Sequence, residues 1–385
     1  MLTFMDTEIK MAVRFIGMAA QKQKRIFIAG GGTGGHIYPG LSIARALLKL
    51  DPSIEIHFVG TDQGLEAKIV PRENFPLHFI QGGKINFSGQ IFQKILTLLK
   101  VPVGIIQSVV LLLKYRPQFV LGVGGYVSFP FVMAAAILRF QTGIWDGDAQ
   151  PGLANRVLSK FVKKCFVVFD EAAKQLGANK SENTGMPVRE EIENQSQRGN
   201  APQSEKLNGE FHLFSFGGSQ GARAINQALS QCILSRPQWM LNTKVLHQIG
   251  PNDWHKMKDI YLALGDQVTT KEFVYNMPEV YQWADLVVCR GGASTIAELA
   301  AFGVPAIIIP LPAANQHQQR NAEALVRANA AVMLLQNQLN PISLSELIEN
   351  LKTDSSRRAN LSKNIRQFFR PNAASQIAKR IQEFL

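Results

Sequence analysis

The stretch ADLVVCRGGASTIAELAAFGVPAIIIPLPAANQHQQRN, Ala284–Asn321, decides how the whole chain is read. It opens on an apolar run, Leu286–Cys289, short and continuous enough to be a strand buried on both faces. Gly291 and Gly292 turn the chain toward a helix expected to open near Ser294 or Thr295, with Glu298 in its first turn. A second buried run, Pro305–Pro310, leads into a polar loop carrying His317, Gln318 and Asn321. Strand, glycine turn and helix N-terminus in succession make an anion site, because free backbone N–H groups and the helix dipole both favour negative charge. Glu298 is then placed for a sugar diol. A second reading stands beside it: Thr295-Ile296-Ala297-Glu298 fits T-x-x-E, a capping box closing on the helix's own N–H groups.

Three more glycine turns end apolar runs elsewhere. Arg25–Ala29 runs into GGGTGGH (Gly30–His36), Gln118–Leu121 into GVGGY (Gly122–Tyr126), and Phe211–Phe216 into GGSQGA (Gly217–Ala222). Further strands are expected at Ile54–Val59, Leu77–Ile80, Gly143–Trp145, Cys165–Phe169, Val245–Ile249, Val268–Val274 and Ala331–Leu335. Helical patterns lie between them. Pro39–Leu50 is one, and Ile91–Lys114 is either one long helix or two broken at Pro102. The polar stretch Asn194–Glu210 reads as a linker or surface loop, as does Gly82–Gly89. The expected fold is α/β, two Rossmann-like parallel-sheet domains facing across a cleft, with ligands at the carboxyl ends of the strands. Residues 1–24 are expected to form a weakly ordered extension, 25–187 the first domain and 188–370 the second. Residues 371–385 form a final helix able to pack back on the first.

The chain has 385 residues, 46% of them hydrophobic, enough for two full cores. Lys and Arg exceed Asp and Glu by 41 − 29 = 12, which suits anionic partners. No basic block of the kind that forms a nucleic-acid arm is present, so phosphorylated metabolites or an anionic membrane surface are favoured over nucleic acid. Three dispersed cysteines, Cys165, Cys232 and Cys289, argue for a reducing compartment. The uncharged run Val101–Leu113, broken by Pro102 and Gly104, falls short of the ~20 residues a membrane span needs. Ile91, Phe92, Ile95, Leu98 and Leu99 recur at helical spacing among Lys84, Lys94, Lys100, Lys114 and Arg116. That pattern reads either as a core helix or as an apolar patch with a basic rim for a membrane.

Gly30, Gly32 and Gly35 formally satisfy the dinucleotide pattern G-x-G-x-x-G, with Asp62 as the acid beyond the second strand. Two features weigh against that reading: His36 directly follows the glycines, and the second half repeats the phosphate-site pattern. A histidine at an anion-binding turn can exchange a proton near neutral pH, so His36 is the first candidate base. No zinc-ligand spacing appears. The expectation is that no cofactor is obligatory, with a divalent metal allowed but not indicated by any ligand spacing.

With these motifs assembled, the chain resembles the bacterial MurG-type glycosyltransferases. The resemblance rests on AGGGTGGHIYPGLSIA, LGVGGYVSFP, PGLANR, PVR, SFGGSQGA, CRGGASTIAEL and HQQRNA, spanning Arg25 to about Leu385. It implies a two-domain GT-B enzyme moving N-acetylglucosamine from UDP-N-acetylglucosamine to the 4-hydroxyl of lipid I, the undecaprenyl-diphosphate-linked muramoyl-pentapeptide, with inversion. The product is lipid II for peptidoglycan synthesis, and the enzyme sits peripherally on the cytoplasmic face of the inner membrane. By the resemblance, Thr33, Gly34 and Gly35 meet the donor sugar and acceptor diphosphate beside His36, and Tyr126 lies in the second glycine loop. Arg189 and Ser219 contact the donor, and Val274 presents its backbone to uracil. Arg290 and the segment Ala293, Ser294, Thr295, Ile296, Ala297 and Glu298 hold the nucleotide, with Glu298 on the ribose hydroxyls. His317 and Gln318 reach the sugar, with Asn321 in the same loop. The sequence departs from the family's H-E-Q-N-A before PGLANR, where Trp145-Asp146-Gly147-Asp148-Ala149 stands. Asp148 therefore replaces a donor-contacting asparagine and is a second candidate base. Asp146-Gly147-Asp148 also spells D-x-D, a metal-diphosphate signature of another glycosyltransferase fold, which the alternating strands and helices argue against.

Overall fold

The computed structural model describes residues 23–82, 91–198, 209–235, 237–313 and 316–385, with backbone only for 91–101 and 197–198. The first half alternates strictly: β1 (Arg25–Gly30), α1 (Gly34–Leu50), β2 (Glu55–Gly60), α2 (Glu66–Arg72), β3 (Leu77–Phe79), α3 (Ile91–Tyr115), β4 (Phe119–Gly124) and α4 (Ser128–Ile137). It continues through β5 (Gln141–Asp146), α5 (Leu153–Leu158), β6 (Lys164–Val167), α6 (Asp170–Leu176) and β7 (Ser181–Asn183). The second half runs α7 (Glu190–Arg198), β8 (Phe211–Phe216), α8 (Arg223–Leu234), β9 (Thr243–Gln248), α9 (Pro251–Met257), β10 (Val268–Lys271) and α10 (Met277–Trp283). Then come β11 (Leu286–Cys289), α11 (Ala293–Phe302), β12 (Ala306–Ile308), α12 (His317–Arg327), β13 (Val332–Met333), α13 (Pro341–Thr353), α14 (Ser355–Ile365) and α15 (Ala373–Gln382).

Two wholly parallel sheets result, ordered β3-β2-β1-β4-β5-β6-β7 and β10-β9-β8-β11-β12-β13. Ile28 pairs with Phe58 on one side and Leu121 on the other, and all three are buried. Leu213, Val245 and Leu286 repeat that arrangement in the second sheet. Strand order reverses beside the first strand of each sheet, so β1/β4 and β8/β11 are the topological switch points. A crevice opens there at the strands' carboxyl ends. The four glycine turns follow those four strands.

The structure corrects several expectations. α1 starts at Gly34 rather than Pro39, because the glycine turn enters the helix directly after an extended Thr33. α3 runs unbroken through Pro102 while packed on α4. The stretch expected as a linker from Asn194 is helical to Arg198, where Glu190, Glu191 and Glu193 favour the N-terminus of α7. The short polar β7 carries no apolar signal and is a strand through its pairing with β6. The Gly82–Gly89 loop expectation lies largely outside the described residues. All three cysteines are free and buried.

After α14 the chain returns to the first half. α15 lies on α1, with Ile377, Ala378 and Ile381 fully buried, and the Phe384 ring sits 5.3 Å from that of Phe119.

Candidate active site

On the first sheet, Gly31–Thr33 carries β1 into α1, whose first turn has neither a side-chain cap nor an acidic residue. The loop rests on Glu66, a buried carboxylate that accepts from Gly32 N–H at 2.8 Å, Thr61 N–H at 2.9 Å and the Thr61 hydroxyl at 2.9 Å. A Cβ on Gly31 would fall 2.3 Å from that carboxyl group, so the position is closed to side chains. The second glycine turn presses on the first from above. Gly125 sits at φ +84, and a Cβ there would fall 2.3 Å from the Gly31 carbonyl oxygen. Only glycine meets both demands.

His36 stands where the two turns meet. Its Nδ1 is 3.2 Å from the Gly31 carbonyl oxygen, and its ring covers Gly124. A carbonyl only accepts, so this contact assigns the proton to Nδ1 and leaves Nε2 with its lone pair. Burial lowers the His36 pKa below the usual 6.5, against the opposing pull of the Gly31 carbonyl and of Asp148. The ring is neutral at neutral pH.

On the second sheet, α8 and α11 likewise begin without side-chain caps or first-turn acids. Ser219 is exposed in the turn before α8. Gln248 ties that turn to the next loop: its Nε2 donates to Gly218 O at 2.9 Å and its Oε1 accepts from Val274 N–H at 3.0 Å. Glu298 lies in the second turn of α11 and accepts from the Tyr281 hydroxyl at 2.9 Å. The capping box of T-x-x-E is therefore not formed, since α11 opens earlier than expected, at Ala293 after Gly292. Burial raises the Glu298 pKa, and the Tyr281 hydrogen bond and nearby Arg189 oppose the shift.

The two halves touch through the loop after β5. Asp148 accepts from Asn321 Nδ2 at 2.8 Å and lies 3.4 Å from His317 Nδ1. Ala149 N–H donates to Asn321 Oδ1 at 2.8 Å, and His317 Nδ1 is 3.2 Å from the Gln150 carbonyl oxygen. Asp146 fixes the loop from within, accepting from Asp148 N–H, Gly152 N–H and Asn155 Nδ2. Burial first, and Asp148 second, push the Asp146 pKa up to about 6.

Residues 26–167 match the glycosyltransferase family 28 N-terminal domain and residues 212–377 its C-terminal domain. A Bdellovibrio bacteriovorus protein named UDP-N-acetylglucosamine--N-acetylmuramyl-(pentapeptide) pyrophosphoryl-undecaprenol N-acetylglucosamine transferase is 53% identical, across 93% of this chain and 99% of its own. The chain belongs to glycosyltransferase family 28. A namesake from Myxococcus xanthus is 37% identical across 92% of this family 28 chain and 91% of its own. The crystal structure of Acinetobacter baumannii MurG superposes with a TM-score of 0.76 at 26% identity, covering 94% of this chain and 99% of that one. The GT-B arrangement of two facing α/β domains is thus shared.

Within this family 28 fold the structure gathers His36, Asp148 and His317 into one cluster, in mutual electrostatic reach. Thr33, Gly35 and Tyr126 are exposed at the glycine turns, while Gly34 is half-buried. Arg189 is exposed on a cavity of about 300 Å³ shared with Tyr38, Ser42 and Arg45. Ala293, Ser294 and Thr295 are half-buried at the start of α11, and Gln318 accepts from Leu311 N–H. Other expected contacts are displaced. Arg290 is buried and donates to the carbonyls of Ile309 and Pro310 and to Gln336, which holds the end of β12 rather than a ligand. Ile296 and Ala297 point into the core, and Asn321 is fully buried with all its polar atoms engaged. The Val274 N–H is taken by Gln248, so only its carbonyl is left for a base. The Asp148 carboxylate is engaged across the cleft and is poorly placed to act as a base. Glu66, Gln248 and Tyr281 have no counterpart among the sequence expectations, since each acts by holding a loop or a ligand side chain and carries no motif of its own.

Proposed function

We propose that the chain transfers N-acetylglucosamine from UDP-N-acetylglucosamine to the 4-hydroxyl of the muramyl-pentapeptide pyrophosphoryl-undecaprenol acceptor, lipid I, giving lipid II. The observation that carries this reading is 53% identity over 93% of the chain to a transferase of that name, joined to a histidine at the first glycine turn in electrostatic reach of His317 on the opposite half. The acceptor occupies the first half beside Thr33, Gly34, Gly35 and Tyr126. The donor lies in the second, with its ribose on Glu298, its uracil at Val274, its diphosphate at Ser219 and Arg189, and its sugar near His317 and Gln318. His36 Nε2 takes the hydroxyl proton as that oxygen attacks the anomeric carbon from the face opposite UDP, inverting configuration. Negative charge growing on the departing diphosphate meets the uncapped N-termini of α8 and α11. Purified protein given UDP-N-acetylglucosamine and a soluble lipid I analogue should release UDP and form the disaccharide. Absence of UDP release, with donor binding intact, would overturn the reading.

A lipid-linked acceptor places the enzyme peripherally at the cytoplasmic face of the membrane. Among the described residues no helix is long and apolar enough to cross a membrane. Val103, Ile106, Val110 and Leu113 instead form one exposed apolar stripe on α3 beside Lys114 and Arg116, while the side chains of Ile91 to Leu99 lie outside the described residues. Ile106→Asp with Val110→Asp should cut co-sedimentation with anionic vesicles by about tenfold or more. Unchanged co-sedimentation would remove the stripe from the proposal.

A further inference from the structure

The carboxylate of Asp148 has no role in the reaction outlined above, yet both its oxygens face side chains of the opposite half. Oδ1 accepts from Asn321 Nδ2, and Oδ2 faces His317 Nδ1. Both partners stand on α12, in the opposite half of the molecule. Asn321 is saturated by the contact: its second amide hydrogen goes to Gly291 O at 3.2 Å, and its Oδ1 receives Ala149 N–H. Rotating that amide by half a turn would set its oxygen against both Asp148 and the Gly291 carbonyl, so its orientation is fixed. Gly291 opens the turn into α11, which bears Glu298. An unbroken chain of contacts therefore runs from the β5 loop of one half to the nucleotide turn of the other.

The charge at position 148 matters to this chain of contacts. His317 Nδ1 faces the Gln150 carbonyl, which requires a proton on Nδ1. A carboxylate accepts from Asn321 and holds its second oxygen 3.4 Å from that N–H, whereas an asparagine at 148 would satisfy Asn321 with its oxygen and turn its own NH₂ on the His317 N–H. Asp146, bound to Asp148 N–H, holds the loop in register for the contact. We propose that Asp148 is a positioning residue that clasps the two halves together across the cleft, taking a hydrogen bond from Asn321 and setting its charge against His317, so that His36 is held toward the donor half. This inference rests on the transferase reading but is tested without turnover.

The three native cysteines are buried, so spin labels on Lys160→Cys and Lys256→Cys, one in each half and both exposed, report the interdomain distance. With UDP bound, the protein with Asp148 intact should show one short distance. Asp148→Ala should shift the population toward longer distances, and Asn321→Ala should do the same, with no further shift in the double variant. Asp148→Asn, which keeps the Asn321 bond and loses the charge facing His317, should fall between, and it covers the case in which the alanine variant fails to fold. In turnover, Asp148→Ala should raise the acceptor KM by roughly tenfold while the Kd for UDP alone moves by less than about threefold. The proposal is overturned if the distances do not change while the acid limb of the pH–rate profile is lost, which would make Asp148 a base. It is equally overturned if donor affinity falls by the same factor with and without Asn321, which would make Asp148 a substrate ligand. A wild-type protein that closes on UDP but transfers no sugar, with closure lost in Asp148→Ala, would support the clasp and overturn the transferase reading instead.

Discussion

His36 illustrates how a single contact sets chemistry. Its Nδ1–H is spent on Gly31, its ring is packed on Gly124, and desolvation keeps it neutral, so Nε2 is available as a base at neutral pH. Because burial lowers its pKa below 6.5, the active form persists on the acid side of neutrality and is lost only as pH falls through that depressed value. The log kcat/KM profile should therefore be flat above pH 6.5 and bend downward at a lower pH. His36→Ala should lose about 10²- to 10³-fold in kcat, abolish that bend and leave UDP affinity unchanged. Near-normal turnover in this variant would transfer the base role elsewhere. Glu298 is the donor-side counterpart. Charge-assisted hydrogen bonds from a ribose diol to its carboxylate should be worth roughly 2–3 kcal/mol, so Glu298→Ala should weaken UDP binding by about 30- to 150-fold by calorimetry. Tyr281→Phe removes only the hydroxyl that aims Glu298 and should cost a few-fold.

At the scale of elements, the readable part of the sequence was the alternation of apolar runs with glycine turns. Leu286–Cys289 and Phe211–Phe216 are strands with the expected bounds, because continuous burial on both faces of a parallel sheet leaves a continuous apolar signature. β7 carried no such signature, and helix starts shifted by several residues at α1, since glycine and proline there mask an N-terminus that tertiary packing fixes. The candidate positions His36 and Glu298 were legible because each sits at or just past a glycine turn that ends a strand. The site was illegible where a side chain meets only protein. Asn321 and Arg290 look like cleft residues in the sequence, yet one joins the two halves and the other holds a strand end. Glu66 is the reverse case, a helix-start glutamate that turns out to support the first glycine loop. Glu66→Ala leaves the Gly32 and Thr61 N–H groups without their charged acceptor and should cost about 3 kcal/mol in urea unfolding. Acceptor KM should rise with it, while UDP affinity, read in the other half, should hold. Equal losses in both would show that the effect is not local to the loop.

At the scale of the molecule, the two halves are joined both by polar pairs and by a docked apolar helix, and the two kinds of contact differ in strength. Beyond the β5 loop, the ion pairs Lys49–Glu190 and Arg327–Glu171 also join the halves, but they are largely exposed and screened, so they contribute little. The apolar contact is α15, which belongs by sequence to the end of the chain and by packing to the first half. Ile377 and Ile381 are fully buried against α1, and Phe384 meets Phe119 on β4. Since α15 follows directly on the second half's α14 and its short 3₁₀ turn, its docking makes the stability of one half depend on the other. Truncating either isoleucine to alanine should cost about 3 kcal/mol, the ordinary range for a buried aliphatic side chain. The informative variant is the pair Ile377→Asp and Ile381→Asp, because a charge on this face prevents docking rather than loosening it. Calorimetry should then resolve two unfolding transitions where the intact chain gives one, with the first half melting earlier. A single transition shifted as a whole would mean that the halves are coupled elsewhere, and the β5 loop with Asp148 would be the next contact to cut.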